Sequence, residues 1–289
     1  MSMGEAGGRT FKAKLQAAWD RGDSLLCIGL DPDPARMPLD DVAAFNIAII
    51  EATSDLVCAY KPNVAFYEAL GPERGYAALR RTLAAIPPHI ITLADAKRGD
   101  VGHTARAYAA AIFDNLGFDA ATVNPYLGGD SMEPWTERAE KGAFVVCRTS
   151  NPGAGDLQDL PVRQPDGTTR PLYEVVAARA ASWDRRGNVG LVAGATYPDE
   201  MRRLRALCPG MPFLVPGIGA QEGDLAAAVR AGIDADGRGL LISASRGVIY
   251  ASAGRDFATA ARAEALRLRD AINRERDAFA ARAGRPAKA

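Results

Sequence analysis

The chain has 289 residues, of which 35 are basic and 35 acidic, so there is no global electrostatic case for binding nucleic acid or an anionic membrane surface. No stretch approaches the roughly 18 apolar residues needed to span a bilayer, and residues 1–10 lack a basic segment followed by an apolar run, which makes a soluble cytoplasmic protein the expectation. Four scattered cysteines and two histidines, without CxxC or HExxH spacing, exclude a disulfide scaffold and leave little basis for a zinc site.

Short apolar runs closed by polar or turn residues recur at 24–30, 56–61, 90–95, 120–123, 143–147, 189–193, 213–215 and 240–243. Between most of them lie Ala-rich segments of helical spacing at 42–54, 75–85, 104–116, 172–183 and 223–231, and 257–279 reads as a terminal helix. Strand and helix alternating in this way predict a parallel sheet with helical crossovers. Eight units fit a closed (β/α)8 TIM barrel, a single domain over 1–289 with frayed ends at 1–10 and 280–289. The connection from 148 to 188 is longer than the others. Its first half is rich in Pro, Gly, Asp and Gln, the composition of a functional or mobile loop at a barrel mouth.

A TIM barrel carries its site where the strands end, and those positions are polar here. In chain order they are Asp31, Lys61 and Asn63, Asp95 and Lys97, Asn124, Ser150 and Asn151, then Pro216-Gly217-Ile218-Gly219-Ala220-Gln221 and Ser245-Arg246-Gly247. The third is the most informative, because two acids, Asp95 and Asp100, bracket Lys97. Side chains two apart in a strand share a face, so Asp95 and Lys97 are expected in the same space. Such charges at a buried strand end serve either a structural ion pair or chemistry on a substrate. The glycine-rich turns after the seventh and eighth runs stand where these barrels hold phosphate. Glycine lets backbone N–H groups approach oxygen, and Arg246 adds a fork of donors that Gln221 could close over.

Taken together, Gly29-Leu30-Asp31-Pro32-Asp33, Tyr60-Lys61-Pro62-Asn63, Asp95-Ala96-Lys97-Arg98-Gly99-Asp100 with Gly102 and Thr104, Thr149-Ser150-Asn151-Pro152-Gly153, Gly194-Ala195-Thr196, 216–221 and Ser245-Arg246-Gly247 form an ordered set. This set resembles the orotidine 5′-phosphate decarboxylase family, in particular its bacterial long-loop branch, through nearly the whole chain. The resemblance implies conversion of orotidine 5′-monophosphate to uridine 5′-monophosphate and CO2 in pyrimidine biosynthesis, without metal or organic cofactor. It implies Lys61, Asp95, Lys97 and Asp100 as a catalytic array, and a homodimer in which Asp100 and Thr104 reach the neighbouring subunit's site. Asp31 and Lys61 would hold the ribose hydroxyls, Ser150 the pyrimidine edge, and Gln221 with Arg246 the phosphate. Asn63, Pro216, Gly217, Gly219, Ser245 and Gly247 would complete the substrate contacts. Three of these residues also have plainer readings: Asp31 as turn chemistry, Asn63 as a helix cap and Ser150 as a turn hydroxyl.

The chemistry is arguable from the residues as well. Loss of CO2 from C6 of a pyrimidine leaves an in-plane carbanion that the ring carbonyls do not delocalise. A lysine flanked by carboxylates can stabilise that charge and then protonate the carbon. One well-placed donor supplies roughly 2.7–4 kcal/mol against the roughly 8–23 kcal/mol of large enzymatic accelerations, so phosphate and ribose binding must also help order the array. Two other readings compete: a sugar-phosphate lyase that stabilises an enediolate with Mg2+, and a catalytically silent nucleotide-binding protein.

Overall fold

A computed structural model of the protein describes residues 9–218 and 222–282. Among the described residues ten strands form, in chain order β1 (Leu26–Leu30), β2 (Ala59–Pro62), β3 (Ile91–Arg98), β4 (Ala120–Val123), β5 (Gly142–Arg148), β6 (Pro161–Arg163), β7 (Thr169–Pro171), β8 (Val189–Ala193), β9 (Phe213–Val215) and β10 (Leu240–Ala244). Eight of them close into a barrel in the order β1-β10-β9-β8-β5-β4-β3-β2, and the predicted single-domain (β/α)8 architecture holds. Neighbouring barrel strands are parallel. β1, β8 and β10 are buried at every position, which is why these strands read in sequence as unbroken apolar runs rather than alternating ones.

The first two strands start later than their apolar runs. Ser24 Oγ donates to Leu56 O at 2.8 Å and accepts from Leu26 N at 3.0 Å, so a side chain rather than the ladder satisfies the backbone there. β3 in turn runs on through Arg98. Helices stand at the expected places, Val42–Thr53, Pro72–Ala85, Gly102–Ala110 continuing as a π turn over Ala111–Asn115, Leu172–Trp183, Glu222–Gly232 and Phe257–Arg282. Three others were not anticipated. Gly129–Thr136 contains Pro134 and starts on glycine, and Pro198–Leu207 is half charged and buries only Met201 and Leu204.

The third, Phe11–Gly22, covers the N-terminal end of the barrel, and Thr10, expected to be frayed, is its N-cap, accepting from Ala13 N. Phe11 N donates to Ala139 O at 2.8 Å, Lys14 pairs with Asp119 at 3.1 Å, and Trp19 Nε1 donates to Leu240 O at 3.0 Å, all just before or at the start of barrel strands. Glycines make room for this plug. A Cβ on Gly142 would lie 2.5 Å from the Phe11 ring and one on Gly190 2.5 Å from the Phe144 ring, and the two rings pack edge to face, 6.1 Å apart. At the other terminus the last helix continues through Arg282, beyond the predicted start of fraying.

The long connection between β5 and β8 is not structureless. It holds a 3-10 turn (Pro152–Ala154), a short helix (Gly155–Gln158) and the antiparallel β6–β7 hairpin. Arg148, buried at the end of β5, fastens it: the guanidinium donates to Gln158 Oε1 and Asp159 Oδ2 and stacks 4.1 Å from the Tyr197 ring centre. Gln158 also accepts from Thr149 N at 2.9 Å and donates to Thr149 Oγ1 at 2.8 Å, so the insertion is tied to the residue before Ser150. All four cysteines are free and buried, and burial pushes Cys27 up to about 12, as suits a thiol that packs as a small apolar group. Among the described residues no helix is long and apolar enough to cross a membrane.

Because Phe11 is fully buried between the barrel floor and its helix, Phe11→Ala is expected to lower stability by about 3–5 kcal/mol, read as a shift of the urea unfolding midpoint. An unshifted midpoint would show that the helix is not part of the cooperative core.

Candidate active site

The C-terminal ends of β2 and β3 bring three charged side chains into direct contact. Asp95 lies between two lysines: Oδ2 accepts from Lys61 Nζ at 3.0 Å and Oδ1 from Lys97 Nζ at 2.5 Å. The sequence reads as a lysine between two acids, but the fold makes an acid between two lysines. Asp100 turns its carboxylate to its own chain, accepting from Val101 N at 2.8 Å, and among the described residues it makes no ion pair with Lys61 or Lys97. Thr104 lies in the first turn of helix Gly102–Ala110, partly exposed.

Exposure separates the two lysines. The Lys61 side chain is 5% exposed, whereas that of Lys97 is 50% exposed and so within reach of a molecule in the barrel mouth. Burial is the largest influence on Lys61 and disfavours its charge, but the carboxylates of Asp31 and Asp95 outweigh it and raise its pKa above that of ordinary lysine. Burial is likewise the largest influence on Asp95 and opposes its charge. Lys61 and Lys97 overcome it, and the carboxyl is held down at about 2. Lys61 and Asp95 therefore both stay ionised through the neutral range.

Backbone geometry around Lys97 departs from the strand expectation. The β3–β4 register shifts between Ala94 and Arg98, and Lys97 takes a left-handed φ of 47°. For a residue other than glycine this conformation costs on the order of 1–3 kcal/mol and persists only where the surroundings impose it. Thr122 of β4 lies beneath it, its hydroxyl accepting from Ala96 N and Lys97 N and donating to Asp95 Oδ1. Nothing in the apolar run that contains Thr122 marked it as part of the site.

Asp31 is held from three sides. Its carboxylate accepts from Ser245 Oγ at 2.5 Å and from Asn63 N at 3.3 Å, and Tyr250 donates to its backbone carbonyl at 3.1 Å. Gly29 permits this closeness, because a Cβ there would fall 1.7 Å from Ser245 Oγ. Asn63 does act as a cap, its Oδ1 accepting from Ala65 N at 3.1 Å at the start of helix Val64–Glu68. Ser150 packs against two glycines from neighbouring strand ends: its backbone N lies 2.8 Å from where a Cβ on Gly194 would stand, and its Oγ 2.9 Å from one on Gly217. Gly217 has φ 89° and follows Pro216, whose carbonyl accepts from Ala195 N. Arg246 is exposed at the start of the short helix Arg246–Ile249, next to Gly247, and makes no ion pair among the described residues. Two of the residues expected to bind substrate, Gly219 and Gln221, lie outside the described residues.

The chain as a whole has counterparts among known proteins. The sequence profile described as the orotidine 5′-phosphate decarboxylase / HUMPS family matches residues 24–263. The chain belongs to this family. The orotidine 5′-phosphate decarboxylase of Dehalococcoides mccartyi is 52% identical over 270 residues, which span 93% of this chain and 99% of that protein. The one from Thermomicrobium roseum is 51% identical over 282 residues, spanning 95% and 99%. Among solved structures, the OMP decarboxylase of Leishmania donovani superposes with a TM-score of 0.81 at 44% identity, covering 93% of this chain and 99% of that one. The family name also takes in HUMPS members, whereas both of these curated relatives are decarboxylases.

A free aspartate titrates near roughly 3.9, and Asp95 in the folded protein at about 2. Its pairing therefore contributes stability that is complete above about pH 4 and is lost as pH falls toward 2. Asp95→Asn is expected to flatten the stability profile across that window, measured by urea midpoints at stepped pH; an unchanged slope would assign the acid sensitivity to other carboxylates.

Proposed function

We propose that this protein decarboxylates orotidine 5′-monophosphate to uridine 5′-monophosphate and CO2, and that the Lys61–Asp95–Lys97 array at the barrel mouth carries the chemistry. In this reading the bond between C6 and the carboxylate breaks, CO2 departs, and the electron pair stays on C6 in the ring plane. The half-exposed ammonium of Lys97 lies opposite that pair, lowers its energy, and then transfers a proton to C6. Asp95 holds Lys97 in line and faces the departing carboxylate. Lys61, too buried to move far, fixes Asp95 from the other side and with Asp31 takes the ribose hydroxyls. Ser150 meets the pyrimidine edge. Arg246 grips the phosphate together with Pro216, Gly217, Gly219, Gln221 and Gly247, and the exposed guanidinium beside the open backbone of Gly247 suits a dianion.

The competing lyase reading needs a metal-binding acid near Asp95. Lys61 from the end of β2 occupies that place instead, and with Lys97 it turns an ammonium to each Asp95 oxygen, at 3.0 and 2.5 Å, an environment that repels a divalent cation.

A homodimer with shared sites completes the reading. Asp100 leaves its own chain's array, so it and Thr104 are offered to a second copy. The exposed apolar side chains Val101, Tyr126 and Leu127, on the loops after β3 and β4, are the surface that copy would cover. Four reduced thiols fit a cytoplasmic location.

The decisive assay follows loss of orotate absorbance in EDTA. Turnover is expected to persist there, and Lys97→Ala to lower it by at least roughly 10²-fold while uridine 5′-monophosphate still binds; activity that vanished in EDTA and returned with Mg2+ would favour the lyase. For the dimer, Lys97→Ala and Asp100→Asn chains, each inactive alone, are expected to regain turnover when co-refolded, because one site of the hybrid then has both native residues. Mixtures as inactive as their parents would refute the shared site.

A further inference from the structure

We propose that Thr122 is a positioning residue for the decarboxylation assigned above, setting both the backbone from which Lys97 departs and the carboxylate it faces. The inference rests on that functional reading and on one hydroxyl whose bonding capacity is completely used.

β3 and β4 are in register at Leu93–Ala120 and Ala94–Ala121 and again at Arg98–Val123. Over that interval β3 spends four residues where β4 spends two. The surplus residues pull the part-buried N–H groups of Ala96 and Lys97 out of the strand ladder, which leaves them in need of another acceptor. Thr122, fully buried, replaces the ladder: its Oγ1 accepts from Ala96 N at 3.0 Å and from Lys97 N at 2.9 Å.

A threonine hydroxyl has two lone pairs and one proton. With both lone pairs taken by amides, the proton is left to point elsewhere, and it goes to Asp95 Oδ1 at 3.1 Å, the same oxygen that accepts from Lys97 Nζ. One atom thereby fixes the left-handed turn at Lys97, the orientation of the Asp95 carboxylate and the line of the ammonium between them. Asp95 has a second oxygen on Lys61, so loss of the Thr122 bond frees the carboxylate to pivot about that remaining contact. The hydroxyl is the working part, and the threonine methyl is incidental.

Small misplacement of a reacting group costs about 10²-fold in rate, and that sets the expected effect. Thr122→Val, which preserves shape and strand preference but removes the hydroxyl, should lower kcat by about 10²-fold while KM and the affinity for uridine 5′-monophosphate change little. Thr122→Ser should recover most of the rate. If Thr122→Val does not fold, Thr122→Ala, which leaves space for water at the two amides, carries the same expectation. Unchanged kcat without the hydroxyl, equal losses in the valine and serine variants, or loss of nucleotide binding in step with kcat would each overturn the role of Thr122. A wild-type chain that does not decarboxylate orotidine 5′-monophosphate would overturn the underlying reading instead.

Discussion

Three charged groups in hydrogen-bond contact, one of them nearly inaccessible to water, are the constraint around which the mouth of this barrel is built. Placing Lys61 where only 5% of its side chain meets solvent is unfavourable unless carboxylates meet it. Asp95 does so directly, and the charge of Asp31 adds to it. Removing one partner from a buried pair typically costs about 3–5 kcal/mol, because the other charge is left bare. The array is thus self-consistent only when all its members are present, and its most exposed member, Lys97, is aimed outward by the two that are not.

Much of the surrounding structure follows from keeping these groups close. Gly29 has no side chain, so Ser245 can reach Asp31 across the β1–β10 seam. The shifted register of β3 puts Lys97 in a conformation that L-residues avoid, and a threonine from the next strand absorbs the amides this releases. Energy from elsewhere in the fold must hold that turn. The aromatic plug of Phe11 and Phe144, at the opposite end of the barrel, contributes to it without touching the chemistry. This division between a stabilising floor and a reactive rim is general to the architecture.

Several elements were legible before any coordinates. The eight buried strands appear as apolar runs because both of their faces are covered, and the polar residues that end those runs are the ones found at the mouth. Asn63 illustrates the limit of such reading. A helix cap and a substrate contact use the same side chain, and only the 3.1 Å bond to Ala65 N establishes the cap. Helix Gly129–Thr136 escaped because it starts on glycine and contains proline, and Pro198–Leu207 because it is half charged and buries only two side chains, whereas Phe11–Gly22 buries Phe11, Leu15, Ala18 and Trp19 at regular helical spacing. Composition likewise suggested a loose loop after β5, where Arg148 holds folded elements in place through contacts with residues far along the chain.

By itself the sequence determined the parallel barrel, the ordered strand-end residues and the family they resemble, because periodicity and motif order are properties of a one-dimensional string. Which charges pair was decided only in three dimensions. Adjacency along β3 suggests that Lys97 sits between Asp95 and Asp100, but a register shift turns Asp100 away, and the parallel pairing of β2 with β3 brings Lys61 in from across the sheet. Electrostatic partners are chosen by distance through space, and the bulge in β3 and closure of the barrel set those distances.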